Sequence, residues 1–434
     1  MPRLPLRFFC LLLLGWTAVG LAGTAGAHPS HDDDHLRIGI LAPVTGSAEA
    51  TGREMLHGAA LAVEQINAAG GVRVGKKRME LELVTGDTQS TAEGGVAAAN
   101  ALIQQQVVSF IGAYGSATTL AAQVPISAAK LPYLVSGAST PRITRRTDLD
   151  TSRMFHLHEL GPWDGAAAAR FLAEAARPAL APKRNLRVAV LYQDTAFGQD
   201  FLNGLPGLGL QGYTEARGLP LDLVAVEPFA NGATDFEEQL LRVRDADPDI
   251  IVPVALVAEA IPMLHQAVNE LGMSVPWGPV NKVCESPAFY EAIDDLRVPI
   301  FIGTYFSVWD TPRGKAGRHL DSFRGQYVVR WGELPGLEAA LQYEAIYTLK
   351  AVYERARTLR PAKVTQAFRS LNTPSRILPT VKRKIRFDKN REVRFDLFVT
   401  QLFFDEELGR MRSRIVWPAS LATGPLDLEP EPRG

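Results

Sequence analysis

From Leu36 onward the apolar positions follow two alternating rhythms. Leu36–Ala42 is a short apolar run closed by Pro43, which predicts a buried strand. Residues 53–67 then repeat apolar side chains at helical spacing until Gly70-Gly71 interrupts them. Met79–Val84 reads as the next strand, and Ser90-Thr-Ala-Glu93 offers a capping box for a helix reaching Gln105. Val107–Ile111 is a buried strand, 116–129 a helix, and Leu131–Val135 closes the set. Alternating β and α units joined by short loops predict an α/β fold whose parallel sheet is covered on both faces.

The same grammar restarts after about residue 158. Leu186–Tyr192, Leu221–Glu227 and Asp249–Val254 read as strands, and 166–176, 197–204, 234–246 and 259–271 as helices, the third opened by a second capping box at Thr234-Asp-Phe-Glu237. A strand near Ile300–Ile302 precedes helices near 313–331, 338–357 and 362–371. The end, about 385–417, turns to antiparallel β, with Asp388-Lys-Asn390 as a turn. Two similar lobes are therefore expected. No long Pro/Ser stretch separates them, so they should be joined by strand-like crossovers rather than a loose tether.

One apolar run stands outside this pattern. Arg3 and Arg7 precede an apolar stretch from Phe8 to Leu21, and Ala25-Gly26-Ala27 is a small-residue cleavage site, so residues 1–27 read as a secretory signal peptide. Cys10 lies within the apolar stretch, out of context for lipid modification. Export is expected to place the mature chain in an oxidising compartment, with Cys284 as its single thiol and a buried position expected for it. His28–His35, rich in His and Asp, reads as a solvated tail rather than a rigid metal site. No later segment reaches about eighteen consecutive apolar residues, so no other span of a membrane is expected.

Composition narrows the function classes. The 434 residues carry 46 Lys plus Arg against 47 Asp plus Glu, which supplies no basic footprint for nucleic acid. Two cysteines cannot build a disulfide framework or a Cys-rich metal centre. Gly207-x-Gly209-x-x-Gly212 matches a dinucleotide fingerprint in letters, but it follows a helix where pyrophosphate binding needs a strand. Gly70 to Lys76 approximates a phosphate loop, yet it too follows a helix and Lys77 stands where Ser or Thr is needed. Ser127-x-x-Lys130 lacks the companion elements of penicillin-recognising enzymes. His156 and His158 share one strand face, but no further ligands join them. No catalytic constellation emerges; no enzyme activity, metal or cofactor is expected.

The ordered succession Pro43-Val-Thr-Gly46, Gly58-Ala-Ala, Glu64-Gln-Ile-Asn67, Gly70-Gly71, Asp87, Phe110-Ile-Gly112, Gly115-Ser116, Ser136-Gly-Ala-Ser139, Phe197-Gly198, Gly278-Pro279 and Val416-Trp417-Pro418 resembles the periplasmic branched-chain amino-acid (Leu/Ile/Val) binding proteins of ABC importers. The resemblance covers nearly all of the mature chain. It implies two Rossmann-like lobes joined by three crossovers near 158, 300 and 376, with lobe I formed by 36–157 plus 300–376, lobe II by 158–299 plus 377–420, and a tail at 421–434. It further implies a small-molecule solute in the cleft, an ABC permease as membrane partner, and a monomer.

By that resemblance, Ser116 and Ser139 hold a solute carboxylate through hydroxyls and amides, helped by the carbonyls of Gly137 and Ala138. Thr51 and Phe197 stand where the family has aromatic contacts, and Val280 stands where it has the acid that pairs with an α-ammonium. The resemblance with Val280 in that place implies a small organic carboxylate, amide-like or aromatic solute rather than an ordinary α-amino acid, with Asn281 as a further polar contact. A ligand-sensing subunit of a signalling system is the alternative, and a cleft enzyme a third.

Overall fold

The computed structural model describes residues 34–313 and 319–428. The expected signal peptide, most of the expected His/Asp tail and residues 429–434 lie outside the described residues. The first lobe opens with strands β1 (His35–Ala42), β2 (Val72–Val74), β3 (Lys77–Asp87), β4 (Ser109–Gly112), β5 (Tyr133–Val135) and β6 (Met154–His156). They form one sheet in the order β2-β3-β1-β4-β5-β6, parallel except for the β2–β3 hairpin. Register sets Leu36 beside Leu81 and Ile40 beside Ile111, so apolar runs stack across the sheet. Helices α1 (Glu49–Ala68), α2 (Ala92–Gln104), α3 (Ser116–Ala128) and the single turn α4 (Arg142–Arg145) connect these strands.

The second lobe follows with α5 (Gly161–Phe171), α6 (Arg177–Leu180), β7 (Leu186–Gln193), α7 (Ala196–Asn203), α8 (Leu210–Arg217), β8 (Leu221–Phe229), α9 (Glu237–Asp245), β9 (Ile250–Val254), α10 (Val257–His265), β10 (Trp277–Val280), α11 (Pro287–Ala292) and β11 (Ile300–Thr304). The chain then returns to the first lobe as α12 (Leu320–Trp331), α13 (Leu337–Ala356) and α14 (Pro361–Arg369), where Phe368 stacks on Phe155 at 4.4 Å. A small ribbon of β12 (Thr373–Pro374) and β13 (Lys384–Ile385) precedes the hairpin of β14 (Phe398–Asp405) and β15 (Arg410–Trp417). The second sheet runs β15-β14-β11-β10-β9-β7-β8.

Two expected crossover positions are corrected. Ile300–Thr304 is hydrogen-bonded between β10 and β14, inside the second sheet, so the chain leaves the second lobe after residue 304, not at 300. The return comes near 393–397 rather than 376: Phe387 packs edge-on against Phe155 at 5.1 Å, and Glu392 bridges His156 of β6. The reason is local ambiguity, since an apolar run such as 300–304 fits either sheet. The three crossovers meet in one aromatic contact, where Tyr305 stacks on Phe395 at 4.3 Å and stands edge-on to His158 at 6.1 Å.

Smaller expectations also shift. His35 belongs to β1, and residues 421–428 are not a free tail, because Leu421 is buried and the Asp427 amide donates to Gln401 at 2.9 Å. Both capping boxes are out of register. Thr91 caps α2, with Gly94 N donating to its hydroxyl at 2.9 Å, while the hydroxyl of Ser90 reaches the first-lobe loop at Ala48; α9 starts only at Glu237, without a side-chain cap. The Gly207–Gly212 stretch runs from the turn after α7 into the first turn of α8, with Gly209 at φ +89° introducing that helix, which the sequence pattern did not predict. Asp388 makes its turn, accepting from Asn390 N at 2.8 Å, but the next strand waits until Phe398. Among the described residues no helix is long and apolar enough to cross a membrane.

Candidate functional site

The loops at the carboxyl ends of the two sheets face each other, the position at which α/β sheets bind ligands. The lobes touch across this cleft. Ser286 Oγ of the second lobe donates to the buried Glu54 Oε1 on α1 at 2.5 Å, Leu337 N donates to Glu285 O at 2.9 Å, and Thr140 Oγ1 bonds Asp200 on α7. A cavity of about 320 Å³ remains between them, lined from the first lobe by Ser90, Tyr114 and Ser116 and from the second by Gln193, Gly232 and Glu259.

Ser116 begins α3, where amides of the first turn lack intrahelical acceptors. Gly115 before it adopts φ +79°, which a side chain would strain, and its amide donates to Gly137 O at 2.8 Å. A Cβ on Gly137 would lie 2.3 Å from Ala113 O, so glycine lets the two binding loops approach. Ser116 Oγ is buried and has no hydrogen-bond partner. The opposite wall is satisfied: Glu259 Oε1 accepts from Gln193 Nε2 at 2.7 Å and from Gly232 N at 2.8 Å.

The other expected residues are dispersed. Ala138 O accepts from His156 Nε2, and Ser139 O accepts from Gly161 N at 2.8 Å, so this loop is tied to the first crossover rather than lining the Ser116 cavity. Thr51 is buried on α1 beside Tyr114. Phe197 is 4% exposed within the second lobe's apolar cluster and does not line the cavity. Val280 and Asn281 line a separate void of about 10 Å³, and the Asn281 side chain accepts from Val283 N at 3.2 Å, capping the turn Lys282–Cys284. These positions do not converge with Ser116 on one cavity, because each is claimed by the packing of its own lobe.

A group of buried polar residues between the lobes escaped the sequence reading. Glu338, in the first turn of α13, is 1% exposed, and neither carboxylate oxygen has a hydrogen-bond partner. Burial raises its pKa to about 8, with Glu54 adding to the shift and Lys282 and Gln342 opposing it. His158 Nε2 lies 3.9 Å from Glu338 Oε1, and His158 Nδ1 meets Glu159 O at 3.0 Å. Burial holds both histidines of the crossover below their usual range, His156 at about 4.

The nearby cation is already committed. Lys282 Nζ pairs with Asp164 and donates to Glu159 O at 3.1 Å. Glu159 links two crossovers, accepting from Leu160 N and Phe395 N at 3.0 Å each, and pairs with Arg394 at 3.2 Å. Tyr114 and Tyr305 add buried hydroxyls without partners. The only hint of this cluster in the sequence was His156-x-His158-Glu159; nothing local marks Glu338. Among the described residues no group of three or more His, Cys, Asp or Glu could hold a metal.

Two α/β lobes crossed three times by the chain and meeting over buried polar groups define a type I periplasmic-binding-protein fold. The chain belongs to the periplasmic binding protein family, whose sequence pattern matches residues 35–406. A Leu/Ile/Val-binding protein homolog 7 of Brucella melitensis biotype 1 is 26% identical over 253 residues, covering 57% of this chain and 58% of the relative. The chain thus spans a little under three fifths of the curated relatives it first matches. A leucine-binding protein from Thermotoga maritima superposes with TM-score 0.71 at 22% identity, covering 89% of this chain and all of the other. A solute-binding protein of an ABC transporter from R. palustris, in complex with benzoate, gives TM-score 0.69 at 15% identity, covering 91% and 98%. Family and fold are those of binding proteins rather than enzymes.

Proposed function

We propose that this protein is the solute receptor of an ABC importer, exported to the periplasm by residues 1–27, acting as a monomer that closes its lobes on a small organic solute and delivers it to a permease. The observation that carries the reading is Ser116: a buried hydroxyl without a partner, at the start of a 13-residue helix, on a cavity to which both lobes contribute. Such a terminus favours a carboxylate or another polar, electron-rich end. The relatives' solutes, leucine in one and benzoate in another, both carry a carboxylate, which supports that class. A solute closes the cleft only through contacts better made in the closed form, and the wall of Gln193, Gly232 and Glu259 supplies the second lobe's share.

By the resemblance, Val280 stands where an acid would pair with an α-ammonium, which favours a solute other than an ordinary α-amino acid. The test is mass spectrometry of solute carried through purification, followed by titration calorimetry of the identified compound. Ser116→Ala is expected to weaken binding at least tenfold; unchanged affinity in that variant overturns the assignment.

A further inference from the structure

Charge is unevenly spread over a chain that is nearly neutral as a whole. Residues 73–78 carry four Lys or Arg and no acid, and residues 355–369 carry five and no acid. The fold brings these two segments together. The β2–β3 turn lies against the end of α13, since a Cβ on Gly75 would fall 3.0 Å from Arg357 O. Arg355 Nε donates to Ser370 Oγ at 2.8 Å, which ties that helix end to the end of α14. Chain direction then sets where the face points. β3 runs from Lys77 at this pole to Asp87, three residues before the cavity-lining Ser90, and α13 runs from its first turn at the lobe interface to Ala356 at this pole. The cationic face is therefore at the end of the first lobe remote from the cleft.

Local explanations do not reach the whole pattern. Edge strands such as β2 favour charge, and helix C-termini such as that of α13 favour cations. Neither accounts for Arg73 and Arg78, which stand directly opposite each other across the hairpin, where like charges are destabilising. Nor does either account for Arg360 and Lys363, which sit at the N-terminus of α14, the end at which the helix dipole disfavours cations. All of these side chains are exposed, and none forms an ion pair among the described residues. Cations left uncompensated at a cost to the fold are available to an anion outside it. The nature of that anion follows from what the face lacks. Protein partners are held by a buried apolar or aromatic centre, and none of the large exposed apolar side chains belongs to these segments. A bilayer with anionic headgroups needs only the cations.

We propose that this pole of the first lobe is a docking surface for the anionic headgroups of a phospholipid bilayer. The cleft and the second lobe face away from it, so the protein can open and close while resting on the membrane. The experiment sediments the mature chain with vesicles of phosphatidylglycerol mixed with phosphatidylcholine, and with vesicles of phosphatidylcholine alone. Expected is binding to the anionic vesicles only, falling at least tenfold between about 20 and about 300 mM salt as ions screen the surface. Lys76→Glu combined with Lys363→Glu should lose at least about tenfold in vesicle affinity and keep its solute affinity. Lys183→Glu combined with Arg217→Glu makes an equal change of charge at exposed sites of the second lobe, and should lose less than about threefold. The salt dependence is read on the unaltered protein, so a misfolded variant leaves the proposal testable. No binding to anionic vesicles at low salt, equal binding to phosphatidylcholine, or equal losses in the two double variants overturns the docking face. Retention on poly-L-glutamate without vesicle binding assigns the face to an acidic protein and overturns it as well. None of these outcomes touches the receptor reading, which rests on Ser116.

Discussion

Gly58→Ala separates two opposed effects. Gly58 lies in the interior of α1, where alanine is ordinarily favoured by about 1 kcal/mol through helix propensity. Here α1 crosses α13 so closely that a Cβ on Gly58 would sit 2.0 Å from Ala339 O and 2.6 Å from its carbonyl carbon. The helices would have to part by roughly 1.4 Å to reach ordinary contact. The obstacle is backbone in a helix buried along most of its length, so no flexible side chain can yield. Overpacking of this kind costs about 1–3 kcal/mol, and the upper end is the appropriate choice. The net expectation is a loss of about 2 kcal/mol in urea unfolding monitored by tryptophan fluorescence. Gly325→Ala is the internal control: it lies in α12 with nothing within 4 Å of its added Cβ, and should be neutral or stabilising. Equal or greater stability of Gly58→Ala, with Gly325→Ala behaving alike, refutes the close-crossing argument.

Two further outcomes are expected. Asp87 gathers the loop before α1, with Oδ1 accepting from Val44 N at 3.0 Å and Gln89 N at 2.8 Å and Oδ2 from Thr45 Oγ1 at 2.7 Å. Burial pushes its pKa up, but the bonds from Gln89, Thr45 and Val44 outweigh it and hold the pKa below the usual range. Its stabilisation is therefore present above the ordinary aspartate pKa and lost as pH falls through the lower folded value. Asp87→Ala should cost about 1–2 kcal/mol at pH 7 and flatten the acid limb of a stability profile; an unchanged acid limb contradicts the assignment. The buried thiol of Cys284 has a pKa pushed well above its usual value, first by burial and then by Glu259 and Glu285. A thiol reagent such as DTNB should leave the folded protein unmodified and react stoichiometrically in urea, whereas rapid labelling of the native state would place the residue at the surface.

What could be read without coordinates was whatever local pattern determines. The strands of both sheets lie close to their expected places because apolar runs bounded by Pro, Gly and polar loops leave few alternatives, and Ser116 begins α3 as the Gly115-Ser116 pair before a helical pattern implies. Lobe membership of Ile300–Thr304 was misread because one of its two partners, β14 at Phe398–Asp405, lies far along the chain. Glu338 was missed for a sharper reason. On α13 it sits among apolar residues at helical spacing and reads as an ordinary first-turn acid, and only the approach of Tyr114, His158 and Lys282 from distant segments gives it meaning. Phe197, Val280 and Asn281 do not line the cavity beside Ser116, and position in a motif cannot tell a side chain that faces a solute from one that completes its own lobe's packing.

The threefold passage of the chain between lobes also bears on the order in which the molecule can be made. The first sheet begins at His35 but gains α12 to α14 only after residue 319, while the second sheet begins at Leu186 and lacks β14 and β15 until Trp417 has been added. The first half is finished only after the second has begun, and a chain interrupted at residue 390 would hold the first lobe's helices but lack the second sheet's closing hairpin. Contacts this distant in sequence close slowly. A slow, late-committing chain suits the export proposed above, because it acquires its complete cleft only when the final hairpin has been added.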